Sequence, residues 1–220
     1  MTAPAGLVLA GGYSRRFGDE EKALAEIDGR PMLEHVVDRI GRVTQSVVVS
    51  CRDEQRDTFR SLQFDPEVEF VTDPVPDRGP VVGIETALAT MTAESVAIVA
   101  CDMPGVDPSF LRTLSERLTG HDAVVPRLPS GHVQPLQAVY RTRPMETACR
   151  RQRLASDVSL RAVLDRLDVL ELPPDVVAQH TDWRSLVNVN TADELDIFLD
   201  GDEAAIHRLL GLDNGGETSN

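Results

Sequence analysis

Lysine is nearly missing from this sequence: Lys22 is the only one in 220 residues, although arginine is plentiful. Aspartate and glutamate total 36 against 22 basic residues, which gives a formal net charge of -14 at pH 7. Nucleic acids and anionic membranes both attract dense positive charge, so we expect neither as a partner. Acidic excess with one lysine is typical of proteins from a very salty cytoplasm, whereas a GC-rich genome alone would also replace lysine by arginine.

Long apolar runs are missing as well. No stretch approaches the roughly 18 consecutive apolar residues that predict a membrane-spanning helix, and the N-terminus lacks the basic start and cleavage site of a secretory signal. We therefore expect the protein in the cytoplasm.

Cysteine and histidine occur without the spacing of a metal site or a disulfide framework. The cysteines are three, an odd number, and none forms a C-x-x-C pair; they are Cys51, Cys101 and Cys149. We expect each to be a small buried hydrophobic residue. The five histidines are scattered, and no serine, cysteine or histidine arrangement indicates a covalent mechanism.

Short apolar segments rich in valine alternate with stretches of helical spacing in the first half of the chain. The predicted strands are Gly6 to Ala10, Ser46 to Cys51, Val68 to Val71, Val96 to Cys101 and Ala123 to Pro126. Helical spacing of apolar residues follows near residues 32–40, 84–91 and 110–118. This alternation predicts a Rossmann-like three-layer α/β/α fold with a mostly parallel central sheet.

The second half has a less regular pattern. It predicts strands at Val133 to Tyr140, Val169 to Leu172 and Leu186 to Val189, with helical pieces near Pro144 to Arg151 and Ser159 to Leu167. A T-x-x-E capping box at residues 191–194 predicts the start of another helix. We expect a single domain over residues 1–212 and a disordered tail at residues 213–220.

The first predicted strand runs into Leu9-Ala10-Gly11-Gly12, and the chain then brings three basic residues close together. Paired glycines turn the backbone sharply and let main-chain N–H groups approach a phosphate or a base, although ordinary tight turns also use them. Arg15, Arg16 and Lys22 form a positive cluster that suits a triphosphate, unless the arginines are solvated surface residues. The Walker and G-x-G-x-x-G patterns are both missing.

Carboxylates follow two of the predicted strands. Asp102 ends the strand that begins at Val96, at the edge of a parallel sheet where ligands bind. A single carboxylate is enough for Mg²⁺ when phosphates and water fill the other coordination positions, but an aspartate there is also often a helix cap. Asp73 is a second candidate, and the turn Asp77 to Pro80 would bring a glycine-rich helix start close to a ligand or serve as an ordinary turn.

Neutral polar residues lie beside the last predicted strand ends. Gln134, Asn188 and Asn190 carry amides that could bind a polar ring or support a metal site, and residues of these types are also common in turns.

These motifs together resemble those of the molybdenum-cofactor guanylyltransferases, within the nucleotidyltransferases that have a Rossmann-like core. The resemblance spans residues 7–195, and the motifs occur in the family's order. They are Leu9-Ala-Gly-Gly, Ser14-Arg-Arg-Phe-Gly, Glu21-Lys-Ala-Leu, Gly29-Arg-Pro-Met, Asp73 with Gly79-Pro80 and Gly83-Ile84, Cys101-Asp-Met-Pro, Gln134-Pro-Leu and Asn188-Val-Asn-Thr.

The resemblance implies a set of site residues. The expected nucleotide-binding residues are Leu9, Ala10, Gly11, Gly12, Lys22, Asp73, Asp102, Asn188 and Asn190, and Asp102 is expected to bind Mg²⁺. We expect Lys22, Asp102 and Arg16 to carry the reaction. Two positions depart from the family pattern: Glu21 precedes the lysine in place of aspartate, and Cys51 occupies the position at the end of the second strand where we expect asparagine.

The implied reaction transfers GMP from GTP to molybdopterin and releases pyrophosphate. The Gly-Gly turn is similar to that of the guanine-using branch, whereas relatives that transfer cytidylate to the same pterin typically have Ala-Ala-Gly. Related transferases act on a cobamide precursor, a phospholactate or a sugar phosphate, and these acceptors stay open. A non-catalytic nucleotide-binding adaptor that helps insert the cofactor into molybdoenzyme apoproteins, or that works with other cofactor-biosynthesis proteins, is the alternative from a different class.

Overall fold

The computed structural model describes residues 2–13, 21–73, 79–155 and 157–212. Within these ranges the chain forms nine β-strands, which we number in chain order: β1 Ala5–Leu9, β2 Glu26–Ile27, β3 Arg30–Pro31, β4 Val47–Cys51, β5 Val68–Thr72, β6 Ser95–Ala100, β7 Ala123–Pro126, β8 Gln137–Arg141 and β9 Val169–Leu172. The expected tail at residues 213–220 lies outside the described residues.

Nine α-helices lie within the same ranges: α1 Met32–Gly41, α2 Asp53–Arg60, α3 Pro80–Leu88, α4 Pro108–Glu116, α5 Thr142–Gln152, α6 Leu160–Leu164, α7 Pro174–His180, α8 Ala192–Asp200 and α9 Glu203–Leu209. Two 3₁₀ helices, Lys22–Leu24 and Trp183–Leu186, complete the set. None of the described helices combines the length and the apolar character that crossing a lipid bilayer requires.

Seven strands form one sheet in the order β5-β4-β1-β6-β8-β7-β9. Strands β5, β4, β1 and β6 are parallel to one another, β8 is antiparallel to both of its neighbours, and β9 is parallel to β7. The sheet is mostly parallel and carries a hydrophobic core on each face, so the predicted three-layer α/β/α fold is confirmed. The carboxyl ends of β1, β4, β5 and β6 therefore lie along one edge, where ligands of such sheets bind.

The helices pack with the faces that their apolar spacing predicts. In α1, Val36, Val37 and Ile40 are fully buried, because residues three and four apart share one side of a helix. The separate hairpin of β2 and β3 precedes α1 and turns at Asp28 and Gly29, whose φ angles are 52° and 75°. Positive φ at both positions is the geometry of a two-residue hairpin turn.

Two strand predictions need correction. The strand expected at Val133 to Tyr140 begins only at Gln137, and Val133 makes an isolated bridge to Arg127. The strand expected at Leu186 to Val189 is wrong: Leu186 ends a 3₁₀ helix, and the residues that follow belong to no sheet in the described part of the chain. Val187 and Val189 are buried. The apolar alternation of this segment therefore indicated an extended backbone correctly, but it did not indicate pairing in a sheet.

Candidate active site

A cavity of about 480 Å³ lies at the carboxyl edge of the parallel strands. The loops after β1, β5 and β6 bring residues to it that are far apart in sequence. Its lining includes Leu9, Gly11, Gly12, Tyr13, Glu21, Lys22, Ser50, Asp73, Gly79, Gly83, Cys101 and Asp102. Most of the residues expected to bind the nucleotide therefore share one cavity. Their roles in binding stay predictions.

Gly11 and Gly12 form the wall of the cavity that follows β1. Neither has a positive φ, and among the described residues a Cβ atom on Gly12 would have no neighbour within 4 Å. Nor does the N–H of either glycine donate a hydrogen bond to any described residue. Backbone conformation and protein packing thus leave room for a side chain here, while two adjacent N–H donors and an open surface suit a bound anion.

Ala10, between Leu9 and Gly11, lies behind this wall. Its side chain is buried in the core, its N–H donates to the carbonyl of Ser50 at 2.8 Å, and its carbonyl accepts from Gln55 Nε2 at 3.2 Å. The structure does not bring Ala10 to the cavity surface, and its contact with a nucleotide stays a prediction.

Lys22 and Asp102 form a direct ion pair at the cavity. Lys22 Nζ donates to Asp102 Oδ2 at 2.7 Å and to Asn190 Oδ1 at 3.2 Å. Both charged side chains are mostly buried, with 18% and 13% of their surfaces exposed. The only lysine of the chain therefore lies beside the carboxylate that follows β6, although 80 residues separate the two in sequence.

Asn188 and Asn190 bind the same pair from the other side. Asn188 Nδ2 donates to Asp102 Oδ1 at 3.0 Å, and Gln134 Nε2 donates to Asn188 Oδ1 at 2.8 Å. The three amide residues line a second cavity, of about 860 Å³. The asparagines thus lie outside the first cavity but in contact with the charged pair that borders it.

Asp73 borders the first cavity after β5, next to residues of β4 and α3. Its N–H donates to the carbonyl of Cys51 at 2.9 Å. A Cβ added to Gly83 would lie 3.0 Å from Ser50 Oγ and 3.6 Å from Asp73 Oδ2, so glycine at this position allows α3 to approach the strand ends closely.

The residue of β4 that borders the cavity is Ser50. Cys51 is fully buried in the core, and burial raises the pKa of its thiol to about 11. Successive side chains of a strand point to opposite faces, so Ser50 and Cys51 face different sides of the sheet. That Cys51 occupies the family's asparagine position, and that this affects base selection, stay predictions.

Arg52 is a site residue for which the motifs provide no signal. Its guanidinium donates to the carbonyls of Gly11 and Gly12 at 3.1 and 2.7 Å, to Glu21 Oε2 at 2.9 Å and to Glu54 Oε1 at 2.7 Å. It also lies over the ring of Tyr13, 4.3 Å from the centroid. A charged residue directly after a buried strand was the one clue in the sequence.

Two groups of expected site residues cannot be placed. Arg15 and Arg16, the arginines of the expected positive cluster, lie outside the described residues, as do residues 74–78 of the turn that leads into α3. Gly79, which follows that turn, borders the cavity and has a φ of 71° at the start of α3.

Asp102 is the residue best suited to bind a metal. In the described part of the chain, no three or more histidine, cysteine, aspartate or glutamate side chains group to hold an ion. A single buried carboxylate fits a Mg²⁺ ion whose other ligands are phosphates and water, and does not fit a protein-enclosed Zn²⁺ or Ca²⁺ site. Binding of Mg²⁺ at Asp102 stays a prediction.

The cysteines contribute no nucleophile. All three are free and buried, as expected. Cys101 borders the cavity beside Asp102, and burial raises the pKa of its thiol to about 12, so the thiol stays protonated at neutral pH.

A doubly wound sheet with a glycine turn, a lysine and an aspartate at one edge is the fold and site of a nucleotidyltransferase. The sequence profile of the MobA-like NTP transferase domain matches residues 6–171. The chain therefore belongs to the MobA-like NTP transferase family.

Named relatives agree with this assignment. A protein of Natronomonas pharaonis is 38% identical over 87% of this chain and 94% of its own length, and one of Haloferax mediterranei is 39% identical over 88% and 92%. Both are named "Probable molybdenum cofactor guanylyltransferase". The crystal structure of molybdopterin-guanine dinucleotide biosynthesis protein A from Archaeoglobus fulgidus matches with a TM-score of 0.74 and 28% identity, over 89% of this chain and 97% of that one. The predicted family is confirmed.

Proposed function

We propose that the protein transfers GMP from GTP to molybdopterin, forming the guanine dinucleotide cofactor and releasing pyrophosphate. The names of the relatives at 38% and 39% identity support this activity, and the site supplies its physical basis. The observation that carries the proposal is the meeting of two cavities at one charged pair: Lys22 and Asp102 border the first, and the asparagines that bind them line the second.

The first cavity suits the nucleotide. The N–H groups of Gly11 and Gly12, which have no hydrogen-bond partner among the described residues, and the ammonium group of Lys22 match the oxygens and the charge of a triphosphate. Ser50 and Asp73 provide oxygen atoms that can bind the donor groups of a guanine edge or of a ribose.

The second cavity suits the pterin. Gln134, Asn188 and Asn190 line this cavity with amide side chains, and amide groups can both donate hydrogen bonds to a planar polar ring and accept them from it. Arg208 of α9 also lines this cavity, and its guanidinium forms no hydrogen bond or ion pair with the described residues. A guanidinium in this place matches a phosphorylated acceptor.

The chemistry needs no protein base. An oxygen of the acceptor phosphate forms a bond to the α-phosphorus of GTP, and the bond from that phosphorus to the bridging oxygen of the β-phosphate breaks. Pyrophosphate leaves with the electron pair. A phosphate monoester is already mostly dianionic at neutral pH, since its second pKa is about 6.

The protein contributes position and charge. Lys22 holds its ammonium between Asp102 and Asn190 and offsets the negative charge of the phosphates at the reacting centre. Asn188 fixes the Asp102 carboxylate through Oδ1. Mg²⁺ bound at Asp102 would supply further charge neutralisation on the phosphates. Arg16 is proposed as an additional cation for them.

The surroundings of the reaction follow from the same proposal. We expect the enzyme to act in the cytoplasm and to pass its product to molybdoenzyme apoproteins or to other cofactor-biosynthesis proteins.

The deciding experiment mixes the protein with MgCl₂, molybdopterin and each of the four nucleoside triphosphates in turn at high KCl concentration. Of the four nucleotides, we expect only GTP to give pyrophosphate release and a product with the mass of the guanine dinucleotide. Release with CTP would assign cytidylyl transfer instead. Release with GTP only when a cobamide precursor, a phospholactate or a sugar phosphate replaces the pterin would change the acceptor. GTP binding without turnover on any acceptor would support a non-catalytic adaptor.

A further inference from the structure

Arg52 binds the wall of the nucleotide cavity through the carbonyls of Gly11 and Gly12 and through the carboxylate of Glu21. Its side chain is 8% exposed, and it lies behind the wall, while the residues that it contacts, Gly11, Gly12, Tyr13 and Glu21, border the cavity. We infer that Arg52 is a positioning residue that shapes the nucleotide site of the proposed GTP-dependent reaction without touching the nucleotide.

The first step of this role concerns the backbone. The Nη1 atom of Arg52 donates hydrogen bonds to two consecutive carbonyl groups, that of Gly11 at 3.1 Å and that of Gly12 at 2.7 Å. The N–H groups of the same two residues have no partner among the described residues. With its carbonyls bound from behind, this stretch of backbone leaves two donors for the ligand, and two flexible glycines are held in one conformation.

The second step concerns charge. Glu21 borders the cavity and immediately precedes Lys22, so its carboxylate lies where a triphosphate is expected. Arg52 Nη2 donates to Glu21 Oε2 at 2.9 Å. This ion pair offsets a negative charge that would repel the phosphates, and it ties the residue before Lys22 to the strand end at position 52.

The third step concerns geometry. Nε of the same guanidinium donates to Glu54 at 2.7 Å, so that four hydrogen bonds leave the planar group in three directions. An ammonium group has three donors on one nitrogen and cannot reach the same partners in a plane. Arg52→Lys therefore keeps the charge and removes the bridge between the glycine turn and Glu21.

The test compares the wild type with Arg52→Lys, using calorimetric titration with Mg·GTP and steady-state pyrophosphate release. We expect the dissociation constant and the KM for GTP to rise about tenfold or more, equivalent to about 1.4 kcal/mol. The KM for molybdopterin should stay within about twofold, because Arg52 is remote from the second cavity's lining.

Arg30→Lys is the matched control. Arg30 likewise bridges two carboxylates, with Nε 2.9 Å from Glu34 Oε2 and Nη2 2.7 Å from Asp38 Oδ2, but it does not border either cavity. A loss of stability without a change in GTP binding is expected there. Equal GTP binding by wild type and Arg52→Lys would overturn the inference.

A second pair of variants keeps the test decisive if Arg52→Lys does not fold. Glu21→Gln removes the carboxylate that Arg52 neutralises, and the double variant Glu21→Gln with Arg52→Met then isolates the contacts to the glycine turn. Because the double variant removes both partners of the Arg52–Glu21 pair, it leaves neither charge of that pair without its partner. We expect the double variant to bind Mg·GTP more weakly than Glu21→Gln alone; equal binding would contradict the role. A wild type that binds no GTP would refute both the proposed function and this inference. A wild type that binds GTP no better than Arg52→Lys would overturn the inference alone, so the two failures can be told apart.

Discussion

At the scale of a single residue, Asp102 lies where the two cavities meet. One of its carboxylate oxygens accepts from Lys22 and the other from Asn188, so its negative charge is held between the first cavity and the second. A carboxylate with both oxygens bound is fixed in orientation, and electrostatic catalysis depends on charges that are fixed before the reaction begins.

Asp102→Asn should abolish turnover and preserve the fold. The amide has nearly the same shape, but it lacks the charge that pairs with Lys22 and that would bind Mg²⁺. We expect turnover to fall by at least about 100-fold, as for the loss of other preorganised charges, measured by pyrophosphate release with circular dichroism as a check on folding.

Asp107→Asn is the control for that substitution. Asp107 caps α4 by accepting from the N–H of Ser109 at 2.8 Å, and asparagine caps helices as well as aspartate does. Its turnover should be normal. Near-normal turnover of Asp102→Asn at saturating Mg²⁺ would remove Asp102 from the mechanism.

Gly12→Ala should weaken GTP binding with little effect on stability. The described protein atoms leave space for the new methyl group, so the free energy of unfolding should change by no more than about 0.5 kcal/mol. The methyl group would instead occupy the surface that the nucleotide approaches, and we expect the KM for GTP to rise at least about tenfold, equivalent to about 1.4 kcal/mol.

Gly29→Ala is the control for Gly12→Ala, and we expect it to lower stability without weakening GTP binding. Gly29 has a φ of 75° in the hairpin turn between β2 and β3, where alanine is strained, so stability should fall by about 1 kcal/mol. The KM for GTP should not change. The Gly12 interpretation fails if Gly12→Ala shows this pattern too.

At the scale of elements, the segment that carries the two asparagines depends on the 3₁₀ helix before it. Gly105 follows the Asp102 turn, and a Cβ there would lie 2.6 Å from the carbonyl oxygen of Arg184 and 3.1 Å from Phe198 Cε2. Val189 N–H also donates to the Asp102 carbonyl at 2.8 Å. The loop after β6 and the segment at residues 187–190 are thus packed together as one unit.

Gly105→Ala should therefore lower both stability and turnover. Overpacking of this kind costs about 1–3 kcal/mol, and the displaced 3₁₀ helix would move Asn188 away from Asp102. Urea unfolding and steady-state kinetics on the same preparation measure the two effects.

Gly41→Ala is the control that distinguishes a loss of stability from a loss of turnover. There the new Cβ would lie 2.8 Å from Pro66 Cγ, at the end of α1 and outside both cavities, so stability should fall while the kinetics of the remaining folded enzyme stay normal. Unchanged kinetics in Gly105→Ala as well would show that the asparagine segment does not depend on this packing.

At the scale of the whole molecule, a net charge of -14 on 220 residues repels itself. Salt screens this repulsion, because the Debye length falls from about 10 Å at 0.1 M to about 3 Å at 1 M. We expect the melting temperature to rise steadily with KCl over this range, measured by thermal unfolding. A melting temperature and activity that are equally high at low salt would contradict an origin in a very salty cytoplasm and favour the compositional explanation for the missing lysines.

Local patterns were enough to predict most of the sheet. Runs such as Val47 to Val49 and Val96 to Val99 are valine-rich because strands of a parallel sheet are covered on both faces. The same property hid which residue of β4 borders the cavity: with both faces apolar, no alternation distinguishes Ser50 from Cys51, and only the tertiary structure does.

The sequence by itself determined the class of fold and the family, and it predicted the edge of the sheet at which the candidate site lies, because strand patterns and short motifs are properties of neighbouring residues. Only the tertiary structure decided which distant residues meet. Lys22 reaches Asp102 across 80 residues and Asn190 across 168, and Arg52 holds the glycine turn from 40 residues away. Such contacts depend on the order of strands in the sheet, which no local pattern records.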